Sequence, residues 1–91
     1  MTAKASVVLV DDDAVFRHVM AGEVARLGYT VVTAESGAEA IRTITESQPQ
    51  IVLLDLEVPD LAGLEVLRAI RESSPGSEVI MLTVHGSIDT A

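Results

Sequence analysis

Three carboxylates in succession, Asp11, Asp12 and Asp13, follow directly on the apolar run Val7–Val10 in "VVLVDDDAVFRHV". A second apolar run, Ile51–Leu54, ends at Asp55, and a third, Val79–Leu82, ends at Thr83. Carboxylates repel one another and are costly to bury. If Asp11, Asp12 and Asp55 meet in one crevice, either a carboxyl pKa rises or a cation binds between them. Carboxylate oxygens with open water positions suit Mg²⁺, with Mn²⁺ as a substitute. Mg²⁺ held in this way goes with phosphate chemistry, and the Thr83 hydroxyl at the same rim is a candidate partner for a phosphate oxygen. Asp13 reads differently: it precedes a helical stretch and suits the positive N-terminus of that helix.

The elements that must bring these acids together are four nearly continuous apolar runs, Val7–Val10, Thr30–Ala34, Ile51–Leu54 and Val79–Leu82. Rich in β-branched residues and Leu, they read as strands buried on both faces. The stretches between them have helical spacing. A first helix is expected over about residues 14 to 27, with Val15, Phe16, Val19, Met20, Val24 and Leu27 turned inward and Gly28 as its stop. A second is expected to start at "SGAE", where Ser36 and Glu39 form a capping-box pattern, to bury Ile41 and Ile44, and to end at "SQPQ". A third is expected around Leu64–Glu72, burying Leu64, Leu67 and Ile70 and closed by "SSPG". This alternation predicts an α/β fold, a doubly wound parallel sheet with helices on both faces. Right-handed crossovers put every strand's C-terminal end on one edge of the sheet. Ligands bind at that edge where the strand order reverses. In the order 2-1-3-4, strands one and three are neighbours at that point, and Asp11, Asp12 and Asp55 converge.

Composition narrows the partners. The 91 residues suffice for one small domain, and 48% apolar against 22% charged residues makes a globular chain. The net charge of −8 makes nucleic acid or an anionic membrane a poor direct partner and suits cations or a basic protein surface. Phe16 and Tyr29, the only aromatics, provide no platform for stacking bases. With no cysteine, disulfides, thiol catalysis and Cys-ligated zinc are excluded. No apolar run has the length of a membrane span or a signal peptide, so the cytoplasm is the expected location.

Three segments, "VVLVDDDAVFR", "IVLLDLEVPDLAGLEVL" and "VIMLTVHG", together resemble the receiver domain of two-component response regulators. The likeness spans essentially the whole chain. Its specificity lies in the combination of the acidic pair, the D-x-x-x-P-x-x-x-G pattern from Asp55 through Pro59 to Gly63, and the strand-terminal Thr83. "LTVHGSIDTA" is similar to receivers of the nitrogen-regulation type, whose C-terminal domains drive transcription. The resemblance implies a flavodoxin-like receiver fold in which Asp55 accepts a phosphoryl group from a phosphohistidine of a sensor histidine kinase. It implies no enzyme activity beyond weak self-dephosphorylation. It further implies that Asp12 and Asp55 ligate Mg²⁺ directly with the backbone carbonyl of Glu57, and that Asp11 acts mainly through metal-bound water. Thr83 would close onto the phosphoryl group and relay the change to an output domain or partner. Pro59 and Gly63 would shape the loop after Asp55. Glu57 and His85 hold positions that in this family flank the phosphoryl group and tune its hydrolysis, whereas His18 reads as a surface residue.

The chain also departs from the family pattern. A whole receiver has a fifth strand, which carries an aromatic switch residue and ends near a lysine that pairs with the phosphorylated aspartate, and a fifth helix. Here the only lysine, Lys4, precedes the first strand on the wrong side of the sheet. Residues 1–91 are therefore expected to be a receiver domain incomplete at its C-terminus, with strand four an unpaired edge and one sheet face covered by the first helix alone. Cover is expected from the rest of a longer regulator or from another chain, as a homodimer or a domain swap. Two other readings compete. "VVLVDDDAV" and "VIMLT" also fit a haloacid-dehalogenase-like phosphatase with Asp11 as nucleophile and Asp13 as acid. That family needs a later lysine and a further acidic pair, and it gives no role to Asp55 with Pro59 and Gly63. The other is a phosphorylation-independent binding module on the receiver fold.

Overall fold

The apolar run ahead of the acids forms strand β1 (Ser6–Val10), which is paired on both sides. The structure is a computed structural model and describes residues 5–55 and 60–82. After β1 come α1 (Ala14–Arg26), β2 (Thr30–Ala34), α2 (Gly37–Ser47), β3 (Ile51–Asp55), α3 (Gly63–Ser73) and β4 (Glu78–Leu82). The strands are parallel in the order β2-β1-β3-β4, as expected. Val8 lies opposite Val32 and Val52, and Val10 opposite Ala34 and Leu54.

The core forms on one face of the sheet. Val8, Val10, Ala34, Val52 and Leu54 meet Ala40 and Ile44 of α2 and Val66 and Ile70 of α3, all of them buried. Ile41, Leu61, Leu67 and Val79 pack around this cluster. α1 contributes no residue to it and lies against β1 and β2 on the other face.

The burial pattern corrects the expectation of a fully inward apolar stripe on α1. None of its residues is buried; Phe16, Met20 and Val24 are half-buried, whereas Val15, Val19 and Leu27 are exposed. A helix touches a sheet along one i, i+4, i+8 line. Val15 and Val19 stand one residue, about 100°, round from that line. The same geometry corrects α3: Leu64 is exposed, and Val66 and Ile70, four residues apart, are the buried pair. The outer strands also differ from the reading of burial on both faces. Val32 of β2 and Ile80 and Met81 of β4 are exposed, because each strand has a neighbour on one side only among the described residues.

Helix termini follow local chemistry. Asp13 caps α1, accepting from the Val15 and Phe16 amides at 3.0 and 3.1 Å. Gly28, just past the cap residue Leu27, adopts φ 101°, the left-handed conformation that ends many helices. Ser36 caps α2 by accepting from the Glu39 amide at 3.1 Å. The reciprocal bond of the box reaches one residue further back: Glu39 accepts from the Glu35 amide. At the far end Gln48 is left-handed and donates to the Ser73 carbonyl, tying the ends of α2 and α3 together.

Candidate functional site

β1 and β3 are adjacent and parallel, so the residues that follow Val10 and Leu54 emerge side by side at the C-terminal edge of the sheet. The Asp11 amide donates to the Ala34 carbonyl at 3.1 Å and prolongs the sheet ladder to that residue. Asp11 and Asp55 are buried, at 4% and 8% exposure, and Asp12 is exposed. One carboxylate oxygen from each of the three lies within 4.8 Å of the other two. The convergence expected from the strand order is therefore present.

The electrostatics of this cluster are unfavourable for three neighbouring negative charges. Burial pushes the Asp11 carboxyl above its ordinary value; the amide of Asp13, donating at 2.9 Å, pulls it down; and the charges of Asp55, Asp12 and Asp13 push it up again. A divalent cation relieves both burial and repulsion. Oxygens sharing one Mg²⁺ lie about 3 to 4 Å apart, so these carboxylates are close to a Mg²⁺-binding spacing and their hard oxygen chemistry fits that ion. Asp13 is committed elsewhere, since its carboxylate caps α1.

Two further side chains brace the site, and the sequence reading assigned a role to neither. Arg17, one turn into α1, donates through Nη1 to the Asp11 carbonyl at 2.8 Å and through Nη2 to Glu35 at 3.5 Å. Asp60 accepts from the backbone amides of Gly37 and Ala38 at 2.7 and 3.0 Å, one on each carboxylate oxygen. These bonds hold the Asp60 carboxyl below its ordinary value. A signal for Asp60 was available: Ser36 satisfies only the third amide of α2 and leaves the first two needing an acceptor. For Arg17 the sequence offered none, because its main partner is a backbone carbonyl.

Of the other residues singled out, Gly63 begins α3, and His18 is exposed on α1. Glu57, Pro59, Thr83, His85 and Lys4 lie outside the described residues. Among the described residues no helix is long and apolar enough to cross a membrane.

With the site in view, the comparisons with known proteins agree on one family. The response regulator receiver domain matches residues 7–91. The transcriptional regulatory protein GlrR of Escherichia coli (strain K12) is 39% identical over 87 residues, 96% of this chain and 20% of that protein. The DNA-binding transcriptional regulator NtrC of the same strain is 35% identical over 83 residues, 91% of this chain and 18% of that protein. The chain thus spans about a fifth of the length of the curated relatives it matches. Among solved structures, the response regulator TrrA of Thermotoga maritima in complex with Mg²⁺-BeF superposes with a TM-score of 0.85 at 31% identity, covering 96% of this chain and 76% of that one.

Proposed function

The chain belongs to the response regulator receiver domain family, with relatives of the NtrC type, and on that basis we propose that Asp55 is its phosphoryl acceptor. Its relatives GlrR and NtrC are transcriptional regulators, receiver domains are generally not enzymes, and neither the phosphatase nor the binding-module reading is favoured. The observation that carries the proposal is the meeting of buried Asp55 with buried Asp11 and exposed Asp12 at the C-terminal edge of β1 and β3.

In this reading the donor is a phosphohistidine of a sensor histidine kinase. A carboxylate oxygen of Asp55 forms a bond to phosphorus while the N–P bond breaks; the imidazole leaves with that electron pair and takes up a proton. Asp12 and Asp55, with the Glu57 carbonyl, would hold Mg²⁺, and Asp11 would act through bound water. Bound Mg²⁺ supplies neutralising charge for the phosphoryl oxygens. Asp55, at the end of β3 beside the Asp11 that follows β1, would be fixed in position by the sheet, and its burial would limit access of water. Thr83 would close onto the phosphoryl group and pass the change to an output domain acting on transcription. Self-dephosphorylation would be slow. That the structurally similar response regulator TrrA was solved in complex with Mg²⁺-BeF supports the Mg²⁺ part of this reading.

The deciding experiment treats the chain with acetyl phosphate and Mg²⁺ and maps any acid-labile adduct by mass spectrometry. A single adduct on Asp55, absent in Asp55→Asn and without Mg²⁺, is expected. An adduct lost in Asp11→Asn but retained in Asp55→Asn would move the nucleophile to Asp11 and end the proposal.

A further inference from the structure

We infer that Asp60 is a positioning residue for phosphoryl transfer, its carboxylate tying the chain just beyond Asp55 to the first turn of α2. This inference rests on the reading of Asp55 as acceptor. Both oxygens of Asp60 are engaged, Oδ1 by the Gly37 amide and Oδ2 by the Ala38 amide. Such bonds to an ionised acceptor are the stronger kind, and two in parallel fix orientation as well as distance.

Packing at the same junction is independent of those bonds. Gly37 is buried, and a Cβ there would stand 3.0 Å from Leu61 Cβ, 3.1 Å from Leu61 Cδ1 and 3.1 Å from Val66 Cγ2. The residue after Asp60 therefore occupies space that only a glycine leaves open. Hydrogen bonds and close packing both seat the start of the α3 approach against the start of α2.

The tether differs in kind from the helix's own cap. The Ser36 bond stays within one turn of α2, whereas the Asp60 bonds join residues 22 and 23 positions apart. On its other side the same β2–α2 turn meets Arg17 through Glu35, and Arg17 holds the Asp11 carbonyl. The turn thus links the acidic residues after β1, through Arg17, with Asp60 ahead of α3. Four residues separate Asp55 from Asp60. A fixed Asp60 sets the far end of the short connection that begins at Asp55. In-line transfer and octahedral Mg²⁺ both tolerate displacements of only about 0.5 Å.

If Asp60 were merely a second cap for α2, its loss would act like the loss of Ser36. The test compares wild type, Asp60→Ala, Asp60→Asn and Ser36→Ala in the full chain. It reads melting temperature, Mg²⁺ affinity by calorimetry, and the rate of Asp55 labelling by acetyl phosphate at saturating Mg²⁺. Both alanine variants should melt earlier. Asp60→Ala should weaken Mg²⁺ binding and slow labelling by about tenfold, the scale of loss when a supporting partner of a metal site is removed. Ser36→Ala should stay within about twofold of wild type in both, far short of that loss. Asp60→Asn, which retains one acceptor oxygen, should fall between, and it carries the comparison if Asp60→Ala does not fold. Wild type labelled at Asp55 with the Asp60 variants indistinguishable from Ser36→Ala would overturn this inference alone. Wild type unlabelled at Asp55 would overturn the acceptor reading and this inference with it.

Discussion

Arg17 donates to the backbone carbonyl of Asp11 at 2.8 Å, so the guanidinium beside the acidic turn holds the turn's backbone. Its second contact, with Glu35, is longer, at 3.5 Å, and the Glu35 side chain is 67% exposed. The two contacts should differ in weight. Removing the donor leaves the carbonyl without that bond, which costs about 1.5 kcal/mol when a charged partner is lost. An exposed ion pair contributes about 0.5 kcal/mol or less. Arg17→Met, which keeps the apolar stem, should therefore destabilise the fold about three times as much as Glu35→Ala in urea denaturation. Equal losses would assign the role of Arg17 to the ion pair.

Asp11→Asn should stabilise the protein in the absence of divalent metal. The folded-state pKa of Asp11 is raised, by burial first and by neighbouring charges. A group of that kind favours folding below its ordinary value of 3.8 and loses the contribution as pH rises through the folded value. At neutral pH the charge is a net cost, which the isosteric amide removes while still accepting from the Asp13 amide. The melting temperature in EDTA should rise at pH 7, and the gain should shrink on acidification. Excess Mg²⁺ should reverse the order, since a ligand at a hundred times its Kd adds about 2.7 kcal/mol to the protein that binds it.

The parts of the fold that were legible in the sequence are those fixed by long apolar runs. β2 spans Thr30–Ala34 as read, and β1, β3 and β4 each extend one residue beyond the apolar run that announced them. A central parallel strand is apolar throughout because both faces are covered, and that leaves a continuous signature. The acids at the strand ends were legible for the same reason, since strand order alone brings Asp11 and Asp55 together. Helix faces were harder. Val15 and Val19 fit the apolar rhythm of α1 as well as Phe16 and Met20 do, and only the width of the sheet beneath decides which pair it covers. Arg17 was missed because its main partner is a backbone carbonyl, which every residue carries and which leaves no pattern to read. For Asp60 the first two amides of α2 were a signal, but the spacing does not say which of the chain's acids, 22 and 23 positions away, would meet them.

Gly37→Ala should destabilise the protein although alanine is the better helix former. In a helix interior the exchange gains about 1 kcal/mol. Gly37 is the first residue of α2, where that gain is at its smallest. The new methyl would meet Leu61 Cβ at 3.0 Å and Val66 Cγ2 at 3.1 Å. Val66 is fully buried and Leu61 Cβ is fixed to the backbone, so neither can yield without moving its element. Overpacking of this kind costs about 1 to 3 kcal/mol. A net loss of about 1 kcal/mol by urea denaturation is expected, together with faster exchange of the Ala38 amide as the Asp60 bonds lengthen. A stabilised variant would mean that the α2–α3 junction is looser than its distances indicate.

Asp60 should give a pH dependence opposite in sign to that of Asp11. Its carboxyl is held below the ordinary value of 3.8, chiefly by the Gly37 amide and then by the Ala38 amide. A depressed folded pKa means that the contribution to stability is complete above the unfolded value and is lost as pH falls through the folded one. The melting temperature of wild type should therefore exceed that of Asp60→Asn at pH 5 to 7, roughly one unit and more above the carboxylate range. The gap should close as the medium is acidified below 3.8, where protonation removes from Asp60 the same charge that the amide lacks. Because the amides of Gly37 and Ala38 do not titrate, the closing of the gap belongs to the carboxylate alone. A gap that persisted unchanged through the acid range would show that neutral Asp60 serves α2 as well as the ionised form, and the charge would then have no part in the tether.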